Sequence, residues 1–227
     1  MEIRELNIFS NRINEQEAFY KNVLGFQCSK SIDTRFEIKA GDTKLILEKS
    51  TKEFFYHFAF LIPTGSLEAA IDYLEKKSIQ LLPLNGDKII HFDTGRAIYF
   101  YDEDGNIVEF IERPTLNYPS SSDFSIKSII KLNEIGLPVS EPKKMIKKLI
   151  NEFGINPIKN APFNDRFCWA GDYNGAIIII KENRNWLPTE KSGIINDFSI
   201  KYIAAGEEYN LTFVNNKIKN SPENINR

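Results

Sequence analysis

A stretch near the start of the chain recurs, at constant spacing, in the second half. The segment from Glu5 to Phe26 aligns without gaps to the segment from Glu134 to Ile155, which lies 129 residues further on. Both copies have the pattern of an alternating strand, then a helix with apolar residues at helical spacing, then a Gly that ends the helix. The repeat therefore predicts a fold in which one strand–helix unit is built several times.

A second unit of the same kind lies between the two copies. It begins with an apolar strand at Phe54–Pro63, continues with an amphipathic helix at Ser66–Lys77, and closes with a hairpin at Ala97–Glu112. Gly105 and Asn106 suit the positive φ angles of the hairpin turn. Short strands follow each helix, so the sequence predicts an α+β fold of repeated βαβββ units, two of them paired and a third partly degenerate.

Composition excludes several classes of function. The chain has 227 residues, 42% of them hydrophobic, with a formal net charge of −2, so we expect a globular protein that does not bind nucleic acid. No apolar run approaches the roughly 18 residues that span a bilayer, and the N-terminus lacks the apolar segment of a signal peptide. With only Cys28 and Cys168 in the sequence, a disulfide framework is not expected, and the pattern favours the cytoplasm.

One carboxylate in the closing hairpin requires a partner. Glu109 lies in the middle of a strand, between Val108 and Phe110, and a carboxylate that faces into a fold must be paired, hydrogen-bonded or bound to metal. A neighbouring arginine, Arg96 or Arg35, is the simplest partner. A metal ion is the alternative, and the sequence alone leaves both open.

Three phrases of the sequence resemble the vicinal oxygen chelate superfamily: AFYKNVLGF, YHFAFLIP and FYDEDGNIVEFIE. This superfamily includes glyoxalase I, extradiol ring-cleaving dioxygenases, fosfomycin-modifying enzymes and metal-free bleomycin-binding proteins. The resemblance covers Met1–Arg113 as one domain of two units and extends more weakly to a third unit in Ser125–Glu182. It implies that paired units enclose a glyoxalase-like cup, in which strand-borne side chains hold a divalent metal that chelates vicinal oxygens of a substrate.

The resemblance also implies a ligand set. By position in the repeated units, the metal ligands would be Glu5, Glu48, His57 and Glu109, and the ion would be Zn²⁺, Fe²⁺, Mn²⁺ or Ni²⁺. Each has a structural alternative: His57 could bond a backbone carbonyl, Glu48 could be a solvated edge residue, and Glu5 could instead act as a catalytic base. Glu5 recurs as Glu134 in the third unit, where no site is expected, so a shared structural role was also open for both.

The other histidine, His91, lies on a strand that faces the cup in this superfamily, and it is a candidate substrate contact or proton carrier. The predicted organisation is a glyoxalase-like domain at 1–113, a linker at 114–124, an additional βαβββ-like unit with a C-terminal hairpin at 125–214, and a polar tail at 215–227. Because an unpaired third unit would have to bury its sheet elsewhere, a homodimer is expected.

The predicted function is a metal-dependent, glyoxalase-like or dioxygenase-like enzyme, a lyase or isomerase or a ring-cleaving dioxygenase, that acts on a small molecule. The alternative is a metal-free, drug-sequestering binding protein of the bleomycin-resistance type, whose cup would hold its ligand on apolar walls.

Overall fold

Fourteen strands and three α-helices make up the part of the chain that the computed structural model describes, residues 1–159 and 161–220. The elements are β1 (Glu2–Ser10), α1 (Ile13–Ala18), β2 (Gln27–Ile32), β3 (Arg35–Ala40), β4 (Thr43–Lys49), β5 (His57–Leu61), α2 (Leu67–Glu75), β6 (Ile90–Phe92), β7 (Gly95–Tyr101), β8 (Ile107–Glu112), β9 (Lys131–Val139), α3 (Pro142–Phe153), β10 (Phe167–Asp172), β11 (Gly175–Lys181), β12 (Phe198–Ala204), β13 (Glu207–Val214) and β14 (Lys217–Asn220). The predicted α+β class is confirmed.

The strands form two seven-stranded sheets. The first has the order β14-β13-β12-β1-β4-β3-β2, and the second has the order β10-β11-β9-β5-β8-β7-β6. In the first sheet β1 pairs antiparallel with β12, and in the second sheet β5 pairs antiparallel with β9, the opening strand of the third unit. The opening strands of the three units, β1, β5 and β9, also pair in parallel with the closing strands β4, β8 and β11 of the same units.

This pairing differs from the expected cup. The first and second units, predicted to pair with each other, lie in different sheets, and the second unit shares its sheet with the third. The physical reason is that an opening strand bonded to its closing strand leaves one free backbone edge, and any strand of suitable pattern can occupy that edge. The alternation of apolar and polar residues in a strand predicts which face is buried, but it does not predict which strand lies beside it. The predicted domain boundaries stay a prediction.

Both faces of the second sheet are covered. All five residues of β5 are buried. Phe58 and Phe60 belong to the large core that the helices and the first sheet share, whereas Ala59 and Leu61 belong to a smaller cluster on the opposite face. His57 lies on that second face by the same alternation. One face of the second sheet therefore packs in the main core. The other face, which carries His57, can line a cavity.

The helices follow their sequence signals. Pro142 occupies the first turn of α3, and Gly154 ends that helix in the left-handed conformation with a φ of 64°. Leu67, Ala70 and Leu74 form the buried stripe of α2. Helix α1 ends at Ala18, and the chain continues from Phe19 to Val23 as a π-helical turn. None of the helices in the described ranges is both long enough and apolar enough to cross a membrane.

Two expectations about the C-terminal half change. Lys217–Asn220, placed by the sequence in a polar tail, pair with β13 as the strand β14, and residues 221–227 lie outside the described part. The third unit does not leave its sheet unpaired, since β9 bonds to β5 of the same chain. Because its sheet is paired within the chain, the third unit gives no reason to expect a homodimer.

Candidate metal centre

Three buried side chains converge on the covered face of the second sheet. His57 begins β5, Glu109 lies in β8, and Glu134 lies in β9. One ligand atom from each of the three lies within 4.8 Å of the others. Within residues 1–159 and 161–220, this is the only group of three or more histidine, cysteine or acidic side chains with such spacing. The opening strands of two units and one closing strand thus supply the cluster.

The turn before β8 fixes the position of His57. The Asn106 side-chain oxygen accepts a hydrogen bond from the Tyr56 amide at 2.7 Å, and the Ile107 amide donates to the Tyr56 carbonyl at 2.8 Å. Asn106 is itself held by Asp102, whose two oxygens accept from the Asn106 amide at 2.9 Å and from its side chain at 2.8 Å. The DEDGN turn, Asp102–Asn106, therefore sets the register of the two strands that carry His57 and Glu109.

The hydrogen bonds of His57 define its tautomer. Its Nδ1 lies 3.3 Å from the Ile107 carbonyl oxygen, which can only accept, so Nδ1 carries a proton. Its Nε2 lies 3.3 Å from Glu109 Oε2. A neutral ring would direct a lone pair at that carboxylate, and two facing lone pairs repel. The arrangement needs a proton or a metal cation between the two atoms.

Glu134 forms an ion pair with Arg113. The Nη2 of Arg113 donates to Glu134 Oε1, its Nε donates to Asn133 at 2.9 Å, and its Nη1 donates to Thr94 at 2.9 Å. Both charged side chains are almost fully buried. Burial raises the pKa of Glu134 to about 7, with the charge of Glu109 acting in the same direction and that of Arg113 opposing it.

Aromatic rings surround the cluster. Tyr99 lies opposite Glu109 in the β7–β8 ladder, and burial together with the Glu109 charge raises the pKa of its hydroxyl well above the ordinary value. The Trp186 ring centroid is 4.8 Å from that of His57. Trp186 also packs on Gly136, where a β-carbon would lie 2.7 Å from the ring. The glycine in β9 thus gives the indole room to cover the imidazole.

The cluster lies in a cavity of about 560 Å³. Its walls are formed by the second sheet, including Phe167, Trp169 and Ile178 of the third unit, and by the loop after β11, which carries Leu187. This volume falls within the usual range for small-molecule sites, and its lining is mostly apolar with a few convergent polar groups, as such sites generally are.

The structure brings together only two of the four predicted ligands. His57 and Glu109 lie side by side, whereas Glu5 and Glu48 lie on β1 and β4 of the first sheet. Glu5 lies 3.1 Å from the ammonium of Lys201 and 3.5 Å from that of Lys44. These two lysines, both largely exposed, already pair with the Glu5 carboxylate, so the first sheet does not reproduce the centre.

The remaining candidates also have definite environments. Glu48 accepts a hydrogen bond from Asn7 at 2.9 Å and lies 3.6 Å from Arg35, as expected for a partly solvated edge carboxylate. His91 is exposed on β6 and is not among the residues that line the cavity. Arg96 pairs with Glu112 at 2.8 Å rather than with Glu109. Neither arginine considered as a partner for Glu109 fills that role.

Glu134 is the member of the cluster that the sequence analysis missed. The repeat identifies it only as the counterpart of Glu5, in a unit where no site is expected. The gapless repeat was the available signal, since it placed a Glu on an opening strand. The pairing of β9 with β5, which joins Glu134 to His57, is not visible in the repeat.

Residues 2–110 match the family model of the Glyoxalase/Bleomycin resistance protein/Dioxygenase superfamily. In this region the chain is similar to that superfamily, and the resemblance stated from the sequence is confirmed. A search of curated proteins found no match.

Three solved structures extend the comparison. A "putative dioxygenase" from Bacillus subtilis subsp. subtilis str. 168 superimposes with a TM-score of 0.59 at 18% identity, covering 79% of this chain and 63% of that one. This chain thus spans less than two thirds of that protein, and at such identity the likeness concerns the fold alone. A lactoylglutathione lyase from Agrobacterium tumefaciens gives a TM-score of 0.44 at 18% identity, over 51% of this chain and 96% of that one. A glyoxalase/bleomycin resistance protein/dioxygenase from Alicyclobacillus acidocaldarius gives 0.41 at 16% identity, over 50% and 92%.

The residues present fit a divalent metal ion. One imidazole nitrogen and two carboxylate oxygens form a mixed donor set that suits Zn²⁺, Fe²⁺, Mn²⁺ or Ni²⁺. When both carboxylates are ionised, Glu109 and Glu134 carry two negative charges against the one positive charge of Arg113. The raised pKa of Glu134 shows that the buried cluster takes up a proton readily to offset this excess, and a metal cation would offset it in the same way. Three protein ligands would leave coordination positions open toward the cavity, as in catalytic rather than structural sites.

Proposed function

We propose that the chain is a divalent-metal-dependent enzyme of the glyoxalase/dioxygenase superfamily that activates a small oxygen-bearing substrate in the 560 Å³ cavity. The observation that carries the proposal is the buried group of His57, Glu109 and Glu134, whose ligand atoms lie within 4.8 Å of one another. When bound, the metal ion supplies Lewis-acid polarisation of chelated substrate oxygens. The reaction is of the glyoxalase-like lyase or isomerase type or of the ring-cleaving dioxygenase type.

The surrounding residues have distinct parts in this proposal. The hydrogen bond from Nδ1 to the Ile107 carbonyl orients the His57 ring and leaves Nε2 for the ion. Arg113 holds the Glu134 carboxylate by the hydrogen bond from Nη2. Trp186 covers the imidazole and excludes water from it. These contacts place the three ligand atoms in a low-dielectric site, where charge interactions are strongest.

The charge of the cavity floor supports an enzyme over the metal-free binding protein. A pocket that only sequesters an apolar ligand has no need of two carboxylates at 2% and 5% exposure beside a histidine. Burying such groups without a cation is costly. The base role considered for Glu5 is not carried forward, because Glu5 lies on the other sheet.

Metal loading tests the proposal. Purified chain is dialysed in turn against Zn²⁺, Fe²⁺ (anaerobically), Mn²⁺ and Ni²⁺, and the bound metal is measured by elemental analysis. We expect close to one equivalent of at least one ion, and less than about a tenth of an equivalent in His57→Ala, since one of three ligands is lost. His91→Ala is the matched control, because this exposed histidine lies outside the cavity lining. Stoichiometric loading that persists in His57→Ala, or no loading of the wild-type chain by any of the four ions, would overturn the proposal.

A further inference from the structure

We propose that Arg166 and Arg184 form an anion-binding subsite at the cavity wall and that the substrate is an organic acid whose carboxylate binds there. Its apolar or aromatic body would lie along the cavity, and its oxygen-bearing end would reach His57, Glu109 and Glu134. The description of that reacting end rests on the proposed function, whereas the carboxylate subsite can be tested without it.

The charged residues that line the cavity fall into two groups: those that belong to the His57 cluster or pair with it, and two further arginines. The carboxylates of the lining are Glu109 and Glu134, and both belong to the cluster with His57. Arg113 is paired with Glu134. Arg166 and Arg184 are the other two charged residues of the lining, and they come from two loops of the third unit.

These two arginines have no carboxylate partner within the described residues. The arginines that form ion pairs there are Arg4, Arg12, Arg35, Arg96 and Arg113. The guanidinium of Arg184 instead lies 5.1 Å from the Phe167 ring centroid, where it stacks on the aromatic face. Partial burial and the neighbouring Arg166 charge lower the pKa of Arg184. Two adjacent cations without a counterion favour an anion from solution.

Backbone hydrogen bonds hold the segments that carry Arg166 and Arg184 close together. The Lys181 amide donates to the Arg166 carbonyl at 3.0 Å, and the Arg184 amide donates to the Lys181 carbonyl at 3.1 Å. The Gly193 amide donates to the Arg184 carbonyl at 2.9 Å. The guanidinium groups thus extend from two segments that are both bonded to the end of β11. A carboxylate is the anion whose planar pair of oxygens matches guanidinium donors best.

Between the two charged regions the lining is apolar. Phe167, Trp169, Trp186 and Ile178 contribute to it, and aromatic walls of this kind favour a flat or branched hydrocarbon body. A ligand with a carboxylate at one end and oxygen donors at the other would meet opposite charges at its two ends. An uncharged ligand of the same shape would leave the arginines unpaired.

The experiment compares an acid with its matched amide in chelator-treated protein. The probes are 4-isopropylbenzoate and 4-isopropylbenzamide, and binding is followed by tryptophan fluorescence, since the two tryptophans of the chain, Trp169 and Trp186, both line the cavity. We expect the acid to bind about tenfold more tightly than the amide, as charge-assisted hydrogen bonds predict. The double variant Arg166→Gln/Arg184→Gln should lose this preference and keep its affinity for the amide.

Two controls keep the test decisive. The variant Arg4→Gln/Arg12→Gln removes the same net charge from arginines already paired with Glu2 and Glu103, and it should keep the preference. In the wild-type chain, added salt should weaken binding of the acid and not of the amide. Equal affinity for both probes, or a preference that survives in Arg166→Gln/Arg184→Gln, would overturn the subsite.

Removing metal beforehand separates this result from the proposed function. If the metal centre is absent, the preference for the acid still appears in chelator-treated protein. If the subsite is absent, the wild-type chain still loads metal but binds the acid and the amide equally. Metal loading of Arg166→Gln/Arg184→Gln stays at the wild-type level in either case.

Discussion

The guanidinium of Arg113 donates a hydrogen bond to the carboxylate of Glu134, and the two side chains are only 1% and 6% exposed. Arg113 thus acts as an internal cation beside the cluster, with its charge held over the rings of Trp169 and Tyr173 at 5.1 and 5.6 Å. A single positive charge offsets only one of the two buried carboxylates. The excess charge that remains when both are ionised raises the pKa of Glu134, and a metal ion held by the three ligand atoms within 4.8 Å of one another would offset it.

Loss of Arg113 should make the chain more dependent on metal. In Arg113→Gln, Glu109 and Glu134 have no cation beside them, so we expect the metal-free chain to lose about 3–5 kcal/mol of unfolding free energy, as for a broken buried ion pair. A divalent ion should recover a larger part of the stability in this variant than in the wild type. Chemical denaturation with and without Zn²⁺ measures both quantities.

The control for that experiment is Arg4→Gln, which removes an exposed ion pair with Glu2 at 2.9 Å and should change stability by less than about 1 kcal/mol. If Arg113→Gln and Arg4→Gln destabilised the chain equally, the view of Arg113 as the internal counterion would be wrong.

A methyl group at position 136 should displace the indole that covers His57. In Gly136→Ala the new β-carbon would lie 2.7 Å from two ring carbons of Trp186, and overpacking of this kind costs about 1–3 kcal/mol. We expect a lower unfolding free energy and a red-shifted tryptophan emission as the ring moves toward solvent.

A double-mutant cycle isolates the Gly136 contact. The two atoms approached belong to the outer ring of the Trp186 indole, and phenylalanine lacks that ring. Gly136→Ala should therefore cost clearly less in a Trp186→Phe background than in the wild type. Additive effects of the two substitutions would show that the cost arises elsewhere, for example at the His57 carbonyl 3.2 Å away.

The DEDGN turn should give the chain a distinctive pH dependence. Burial raises the pKa of Asp102 to about 6, above the value near 3.9 of an unfolded chain. The folded chain therefore takes up the proton first, and the resulting stability is full below about pH 4 and is lost as the pH rises through about 6. Between pH 7 and pH 5, the unfolding free energy of the wild type relative to Asp102→Asn should rise by about 1 kcal/mol.

Denaturation curves at pH 7, 6 and 5 measure this difference. Asp87→Asn, at an exposed position, is the control and should give a difference that does not change with pH. A wild-type advantage over Asp102→Asn that shrinks as the pH falls would contradict the assignment.

The sequence predicted the strands and helices within a unit, but it did not predict which units share a sheet. Alternation and capping signals predicted strands and helices because they depend on local geometry, as at Gly154. His57 and Glu109 came from motifs within one unit, whose parallel strands β5 and β8 bring them together. The pairing of β5 with β9 depends instead on which strand comes to lie beside the free backbone edge of β5. The packing of the whole chain decides this.

The same limit explains the exchange of Glu5 for Glu134. The two residues occupy equivalent positions in the repeat, so local sequence cannot distinguish them. Glu5 pairs across the ladder with Lys201, whereas Glu134 pairs with Ala59 and so leaves its carboxylate beside His57 and Glu109. Identical positions in two repeats thus acquire a paired surface carboxylate in one sheet and a candidate metal ligand in the other.

The most direct test of the central claim is a crystal of metal-loaded protein measured at the absorption edge of the bound ion. The account predicts one anomalous peak, at about 2.0–2.3 Å from His57 Nε2 and from a carboxylate oxygen of Glu109 and of Glu134. A peak beside Glu5 or Glu48, or no peak in protein that elemental analysis shows to be loaded, would contradict it.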